Sequence, residues 1–414
     1  MTDGSPLVVA VSGGSDSMAL CFLLKQWCQE RGYELHAVTV DHGLRAEAAE
    51  EAILVGEWCA SAGIFHTILT GDRDKPQTGI QAYARDLRYD LLLKACESLG
   101  SRNLFLGHQQ EDQIETFLMR YSRGSGLPGL TAMQQVSMRG DTNLHRPMLS
   151  LARQELREYL LINAQDWIED PSNEDERYTR TALSPIRQKI SRLPGASAAS
   201  LCLSLERMAR ANTALEEITK TVSDDIVHVS PLGFVTVEED KFRGQPQEIQ
   251  IRLLDHMIRT VRGRAAISVR LSELERLESE LPATRTLGGC KVFVRQGNIY
   301  VIREFGRDKG PELPVGVGEE GLWDDRFLVF YQDKTALEYC NVRVCPIGHE
   351  GWQQIGKEIP EDLKNLPAVI RNQLPVVKSN EEIVAAPLIF PEKQGTGIAS
   401  DRYRMVFHSK IVLN

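Results

Sequence analysis

The 414-residue chain lacks any apolar run approaching the roughly 20 residues that a membrane-spanning helix needs. Its opening, MTDGSPLVVAVSGG, carries no basic segment ahead of the apolar residues, so no secretory leader is expected and a cytoplasmic location follows. There is no C-x-x-C among its eight cysteines, Cys21, Cys28, Cys59, Cys96, Cys202, Cys290, Cys340 and Cys345. Most sit inside apolar patterns, which predicts reduced, buried thiols rather than disulfides or a zinc site. Net positive charge is missing too: 48 Lys and Arg against 57 Asp and Glu give −9. A nucleic-acid partner would therefore have to be held by local basic patches. Internal repeats and low-complexity tracts are absent.

What is present is ordinary in bulk and pointed in detail. A hydrophobic fraction of 42% and a charged fraction of 25% suit a globular protein, and the length suits two or three domains. Short β-rich runs at Leu7–Val11, Glu34–Val40, Phe65–Leu69 and Asn103–Gly107 read as buried strands and alternate with helical patterns at Asp16–Glu30, Glu47–Ser61 and Gln81–Leu99. That rhythm predicts an α/β fold with a doubly wound, mostly parallel sheet, in which ligands gather at the carboxyl ends of strands. Polar clusters fall just there: SGGSDS, DHGLR and GHQQEDQIE. A helix capped by Ser150 is expected next, then a polar loop at Asp170–Asn173. Long helices dominate from about Ala196 to Arg262. A helix in SVRLSELERLESEL and a hairpin turning at Gln296–Asn298 follow. GRDKGPELPVGVGEEG reads as a linker, and the remainder as a small α+β module. The expected domains are 1–195, a nucleotide-binding catalytic domain; 196–308, mainly helical; and 320–414, α+β.

The loop after the first strand carries the strongest chemical signal. Gly13 and Gly14 allow a tight turn with amides pointing inward, and the helix starting near Asp16 adds its positive end. Hydroxyls of Ser12, Ser15 and Ser17 offer more donors. The loop is not a Walker A motif, since no G-K-[ST] follows. It matches S-G-G-x-D-S, the pyrophosphate loop of ATP pyrophosphatases, which implies ATP as cosubstrate. An aspartate beside phosphates repels them unless a cation intervenes, so Asp16 is the candidate for Mg²⁺. In the third cluster, Asp112 and Glu115 stand three apart on one helix face with His108 at the strand end, a set suited to metal binding or proton transfer, or to a capped first turn. DHGLR places Asp41 and His42 where a nucleotide's ribose or base could be met. Arg85 and Arg88 on the next helix could clamp a phosphate or form an outer charged face.

Taken in order, SGGSDS, DHGLR, ARDLRY, GHQQEDQIETFLMRYSRGSGLPGL, RPML and DPSN resemble the bacterial tRNA(Ile)-lysidine synthetases, within the PP-loop superfamily of adenine nucleotide alpha hydrolase-like folds. The resemblance covers about 190 N-terminal residues strongly and echoes weakly to the C-terminus. It implies a ligase that uses ATP and Mg²⁺ to adenylate C2 of the wobble cytidine in the CAU anticodon of a minor tRNA(Ile). Free L-lysine then displaces AMP, switching codon reading from AUG to AUA and charging from methionine to isoleucine. It also implies that Asp16, His108, Asp112 and Glu115 are catalytic, and that Ser12–Ser17, Asp41 and His42 bind ATP. Arg85, Arg88, Arg123, Gly124, Ser125, Gly126, Asp170, Asn173 and Arg180 become candidates for lysine, cytidine or tRNA contacts.

One departure stands out. Arg180 matches the family after DPSN, but Thr181 and Ser184 occupy positions where an asparagine and a second arginine are usual. Basic stretches at 177–192 and at Arg259, Arg262, Arg264 and Arg270 are the candidate tRNA patches, or solvated helix faces. Two alternatives remain in view: a PP-loop tRNA thiolase, disfavoured by the missing C-x-x-C, and a tRNA-binding homologue impaired in catalysis. The oligomeric state is not fixed by the sequence, a dimer being one option.

Overall fold

In a computed structural model, residues 5–41, 43, 47–71, 80–169, 197–263, 269–306, 310–315, 320–331, 342–356, 359–390 and 403–407 are described. The chain divides into two compact units, Met1–Thr213 and Ala214–Asn414.

The first unit is built on β1 (Leu7–Ala10), β2 (Leu35–Asp41), β3 (Phe65–Thr70) and β4 (Asn103–Phe105), all parallel, in the order β3-β2-β1-β4. These are the four strands expected from the sequence, within a residue or two at each end, but β3, expected to be buried, is an edge strand with Phe65 and Ile68 exposed. Helices α1 (Ser15–Arg31), α2 (Glu47–Ser61), α3 (Ile80–Ser98) and α4 (Gln110–Tyr121) follow them in turn, and a short α5 (Leu127–Leu130) comes after α4. β1 shows why both sheet faces are covered. Leu7, Val9 and Val11 enter a core with Met18, Leu20 and Cys21 of α1. Val8, pointing the other way, packs with Tyr89, Leu92 and Leu104. A strand buried on both faces is continuously apolar, as LVVA is.

The sheet has two more strands than expected. β5 (Val136–Arg139) and β6 (Thr142–His145) form a hairpin whose second strand runs parallel to β4, pairing Asn103 with Asn143 and Phe105 with His145. The sheet is thus six-stranded, β3-β2-β1-β4-β6-β5, with an antiparallel edge. Helix α6 (Arg153–Ile162) follows β6 and packs Leu156 and Leu160 into the first core. Its start corrects the expected cap: Ala152, not Ser150, is the N-cap. The orphan first-turn amides take acidic side chains instead, Ala152 N–H donating to Glu155 Oε2 (2.7 Å) and Arg153 N–H to Glu111 Oε2 (3.1 Å). The carbonyl of Ser150 accepts from Gln110 Nε2 (3.2 Å).

Helix α7 (Ala198–Ile226) runs from the first unit into the second, which then holds β7 (Val227–Val229), β8 (Val235–Glu238), α8 (Glu239–Arg243), α9 (Gln247–Arg262) and α10 (Leu271–Glu280). β9 (Arg285–Leu287), β10 (Cys290–Arg295) and β11 (Asn298–Arg303) complete an antiparallel sheet ordered β7-β8-β11-β10-β9. The β10–β11 turn is the expected hairpin; Gln296 and Gly297 both have positive φ, 50° and 72°, the signature of a two-residue type I′ turn. Farther on, Leu313–Pro314, inside the stretch read as a linker, pairs as a strand with Val344 and Arg343. The C-terminal part is α+β, with a four-stranded and a three-stranded antiparallel sheet.

Candidate active site at the carboxyl edge of the parallel sheet

The loop after β1 turns through Gly13 (φ +85°), whose carbonyl accepts from Ile168 N–H at 2.9 Å. A Cβ on Gly13 would lie 2.6 Å from Ile168 Cδ1 and 3.0 Å from Val55 Cγ2, so glycine is required for conformation and for space. Gly14 is the N-cap of α1 and supplies no side-chain acceptor. The first-turn amides of a 17-residue helix are thus left to a ligand or solvent, and with the helix dipole they could hold an anion. The loop is braced from within. Ser17 Oγ donates to the Gly14 carbonyl (2.9 Å), accepts from Ser12 N–H (3.1 Å) and lies 3.2 Å from Ser12 Oγ. Ser15 and Ser17 are buried and Ser12 is exposed, so Ser12 is the solvent-facing hydroxyl of the three.

The loop between β4 and α4 comes from the neighbouring strand. Gly107 lets it approach, since a Cβ there would stand 3.0 Å from Ser17 Cα and 3.1 Å from Ser17 N. His108 is buried just beyond β4. Gln109 caps α4: its Oε1 accepts from Glu111 N–H (2.5 Å), while its own N–H donates to Asp112 Oδ2 (3.1 Å). Asp112 therefore does cap the first turn, one of the two readings of the sequence. It also acts electrostatically on Asp16, as does the cation between them.

That cation is Arg153, the first residue of α6. Its Nε and Nη2 each lie 3.3 Å from Asp16 Oδ2, which also accepts from Gln109 Nε2 at 3.5 Å. Ser15 Oγ donates to Asp16 Oδ1 at 3.2 Å. Burial raises the Asp16 carboxyl above its ordinary value; Asp112 adds to the rise, while Arg153, Ser15 and Gln109 oppose it. For Arg153, burial favours the neutral form, but Asp16, Asp112, Glu111 and Glu115 together outweigh it and hold the guanidinium more firmly charged than usual. The guanidinium after β6 thus contacts the carboxylate after β1 and feels the acids of α4 after β4.

Among the described residues, no three His, Cys, Asp or Glu side chains group closely enough to cage a metal. Mg²⁺ does not require such a cage, because it commonly takes one or two carboxylates and completes its shell with phosphates and water. Asp16, a hard oxygen donor beside an open helix N-terminus, fits that mode.

Other expected residues stand apart from Asp16. Asp41 Oδ1 accepts from Gly43 N–H (2.7 Å) in a tight turn after β2. Arg85, Arg88 and Arg139 surround the buried ring of Tyr89, their guanidinium carbons 5.3, 5.7 and 4.4 Å from its centroid. Gly124 turns with φ +66°, Arg123 is exposed, and Gly126 caps α5. The turn containing Ser125 is held by Arg120, whose Nη1 donates to the carbonyls of Gly129 (2.9 Å) and Ala132 (2.7 Å). Arg259 is paired with Asp255 at 2.6 Å, and Arg262 lies against Gly289, so both are committed in part to their own unit. His42, Asp170, Asn173, Arg180, Thr181, Ser184, Arg264 and the basic stretch 177–192 lie outside the described residues. Sequence reasoning missed Gln109, Arg120 and Arg153. The last is reached only through the unrecognised β5–β6 hairpin.

The PP-loop domain profile matches residues 2–193. A tRNA(Ile)-lysidine synthase from Wolbachia pipientis wMel is 31% identical over 416 residues, covering 99% of this chain and 94% of that protein. Another, from Ruegeria pomeroyi, is 35% identical over 396 residues, covering 92% of this chain and 88% of its own. Among solved structures, a U34-tRNA thiolase from Methanococcus maripaludis with a 4Fe-4S cluster aligns with a TM-score of 0.44 and 16% identity, over 50% of this chain and 73% of that one.

Proposed function

The chain belongs to the tRNA(Ile)-lysidine synthase family, and from that premise we propose that it joins the ε-amine of free L-lysine to C2 of the wobble cytidine in a CAU anticodon, consuming ATP. The observation that carries this reading is the meeting of the SGGSDS loop and the Asp112/Glu115 face of α4 at one sheet edge, joined through Asp16 and Arg153.

The chemistry needs two displacements. The cytosine O2 attacks the α-phosphorus of ATP, and the bond to pyrophosphate breaks. Main-chain amides from Gly13 to Ser15 and the open end of α1 hold the departing pyrophosphate. Asp16 would hold Mg²⁺, which when bound neutralises charge on the phosphates. The lysine ammonium gives up one proton, its nitrogen attacks C2, AMP leaves with the former cytosine oxygen, and the nitrogen sheds a second proton. Asp112 and Glu115 hold the lysine ammonium, and they or His108 accept the protons and pass them to solvent. Positioning supplies most of the acceleration, because adenylation has already made a good leaving group. The cytidine must leave its stack, at a cost of a few kcal/mol.

Within this reading residues 1–195 hold the chemistry, and 196–308 and 320–414 grip the tRNA(Ile) body in the cytoplasm. No helix among the described residues is long and apolar enough to cross a membrane. The thiolase alternative gains no support from the thiols, since every described cysteine is buried.

The test is release of AMP from ATP with the substrates omitted one at a time. Release is expected to require both lysine and the CAU-anticodon tRNA, and to fall at least about a hundredfold in Asp16→Ala. A sulfur donor that replaces lysine would install the thiolase reading, and undiminished release by Asp16→Ala would remove the loop from the chemistry.

A further inference from the structure

Arg153 takes no part in the reaction as drawn above, yet it is the guanidinium at the centre of the acid face. Its placement raises a conflict. A divalent cation at Asp16 needs one of that carboxylate's oxygens, and both are already engaged: Oδ1 by Ser15 Oγ, Oδ2 by Arg153 and Gln109. The three donors differ in how readily they can leave. Ser15 is buried in the first turn of α1. Gln109 is wholly buried and fixed at its other end by Glu111 N–H. Arg153 is 40% exposed and reaches Asp16 through two long contacts of 3.3 Å on a flexible stem. It is the donor that can move.

We propose that Arg153 is a positioning residue that stands in for the divalent cation at Asp16, then gives way to it and turns to the nucleotide's phosphates when the metal–nucleotide complex arrives. The proposal rests on the ATP–metal reading of the loop. The charges carry it. Without nucleotide, Asp112 repels the Asp16 carboxylate, and the guanidinium 3.3 Å from Asp16 offsets that repulsion. Once a cation sits on Asp16, a guanidinium on the same oxygen is repelled. The phosphates arriving on the amides of α1 offer it a better partner, since a planar five-donor fork matches phosphate oxygens. The backbone of Arg153 stays fixed meanwhile, because its N–H is held by Glu111. Only the side chain has to exchange.

The test uses the full chain without tRNA or lysine, and Mn²⁺ as the probe. Binding of free Mn²⁺ is followed by electron paramagnetic resonance, and binding of Mn²⁺ with a non-hydrolysable ATP analogue by calorimetry. Arg153→Met removes the internal cation. It is expected to bind free Mn²⁺ roughly tenfold tighter than the unmodified chain and the Mn²⁺–nucleotide complex roughly tenfold more weakly, about 1.4 kcal/mol each way. Arg153→Gln, neutral but still a donor toward Asp16, is expected to show the same two changes and serves if the methionine variant does not fold. A merely structural arginine would weaken both forms of binding together. Unchanged or weaker Mn²⁺ affinity without nucleotide overturns the proposal. Loss of all nucleotide binding by the unmodified chain would instead overturn the ATP reading beneath it.

Discussion

Gly107 packs so closely on the first turn of α1 that any Cβ there would press on backbone, not on a side chain that could swing aside. Gly107→Ala must therefore shift the loop carrying His108 and Gln109 away from Asp16. The expected cost is about 1–3 kcal/mol of stability and roughly a tenfold to hundredfold loss in AMP-release turnover. Paired melting and steady-state assays check this; full activity with full stability would show that the two loops need not touch. The same neighbourhood explains what the residue types did and did not announce. The glycine turn of Ser12–Ser17 and the placing of Asp112 in the first turn of a helix were legible because both follow from local pattern, glycine where φ is positive and acids where a helix begins. Gln109 was not, since nothing in a glutamine says that it will be wholly buried between a helix cap and a carboxylate 93 positions away.

Among the elements, β1, β2 and β4 and their helices were legible from periodicity because each is locally consistent, apolar where buried and polar at the carboxyl end, whereas β3, an edge strand with Phe65 and Ile68 exposed, was legible from its apolar residues alone. The β5–β6 hairpin escaped for a physical reason. It is an edge element, with Val136 and Met138 exposed, so its pattern lacks the continuous apolar run of an inner strand. Missing it hid how RPML and Arg153 are delivered beside β4. The opposite edge carries its own signal. His66 on β3 lies 2.8 Å from Thr39 Oγ1 through Nε2, and Gly56 of α2 approaches its ring; burial, with His36 adding a like charge, lowers its pKa below the ordinary 6.5. His36 is lowered by burial as well. Because the folded state resists these protons, the unfolded chain binds them first as pH falls. Stability is then at its full value above about pH 6.5 and declines below it. Urea midpoints across pH 5–8 are expected to show that decline, flattened in part in His66→Gln; an unchanged slope would remove His66 as its source.

Over the whole chain, each of the two compact units has its own core. The second unit buries Asp324 between two guanidiniums, Arg326 Nε at 2.7 Å and Arg303 Nε at 3.1 Å, with Arg326 also donating to the Gly233 carbonyl at 2.9 Å. Asp324→Ala would leave two largely buried cations without their carboxylate, a loss of about 3–5 kcal/mol. Calorimetry is expected to resolve two transitions. Asp324→Ala should lower one, while ATP with Mg²⁺ raises the other by about 2.7 kcal/mol at a hundredfold excess over its dissociation constant. A single transition moved by both would mean that the units unfold together.

The amino-acid order alone determined the parallel sheet, the glycine turn after β1, the acid pair and the family, because each is written in short-range pattern: apolar period, glycine where φ is positive, acids three apart. Tertiary structure alone decided that the Asp16 carboxylate is shared between α1, α4 and α6, with Arg153 as the shared cation. That choice depends on residues 137 positions apart meeting at 3.3 Å. No local preference encodes such a meeting; only the pairing of β6 with β4, which carries α6 to the sheet's carboxyl edge, brings it about.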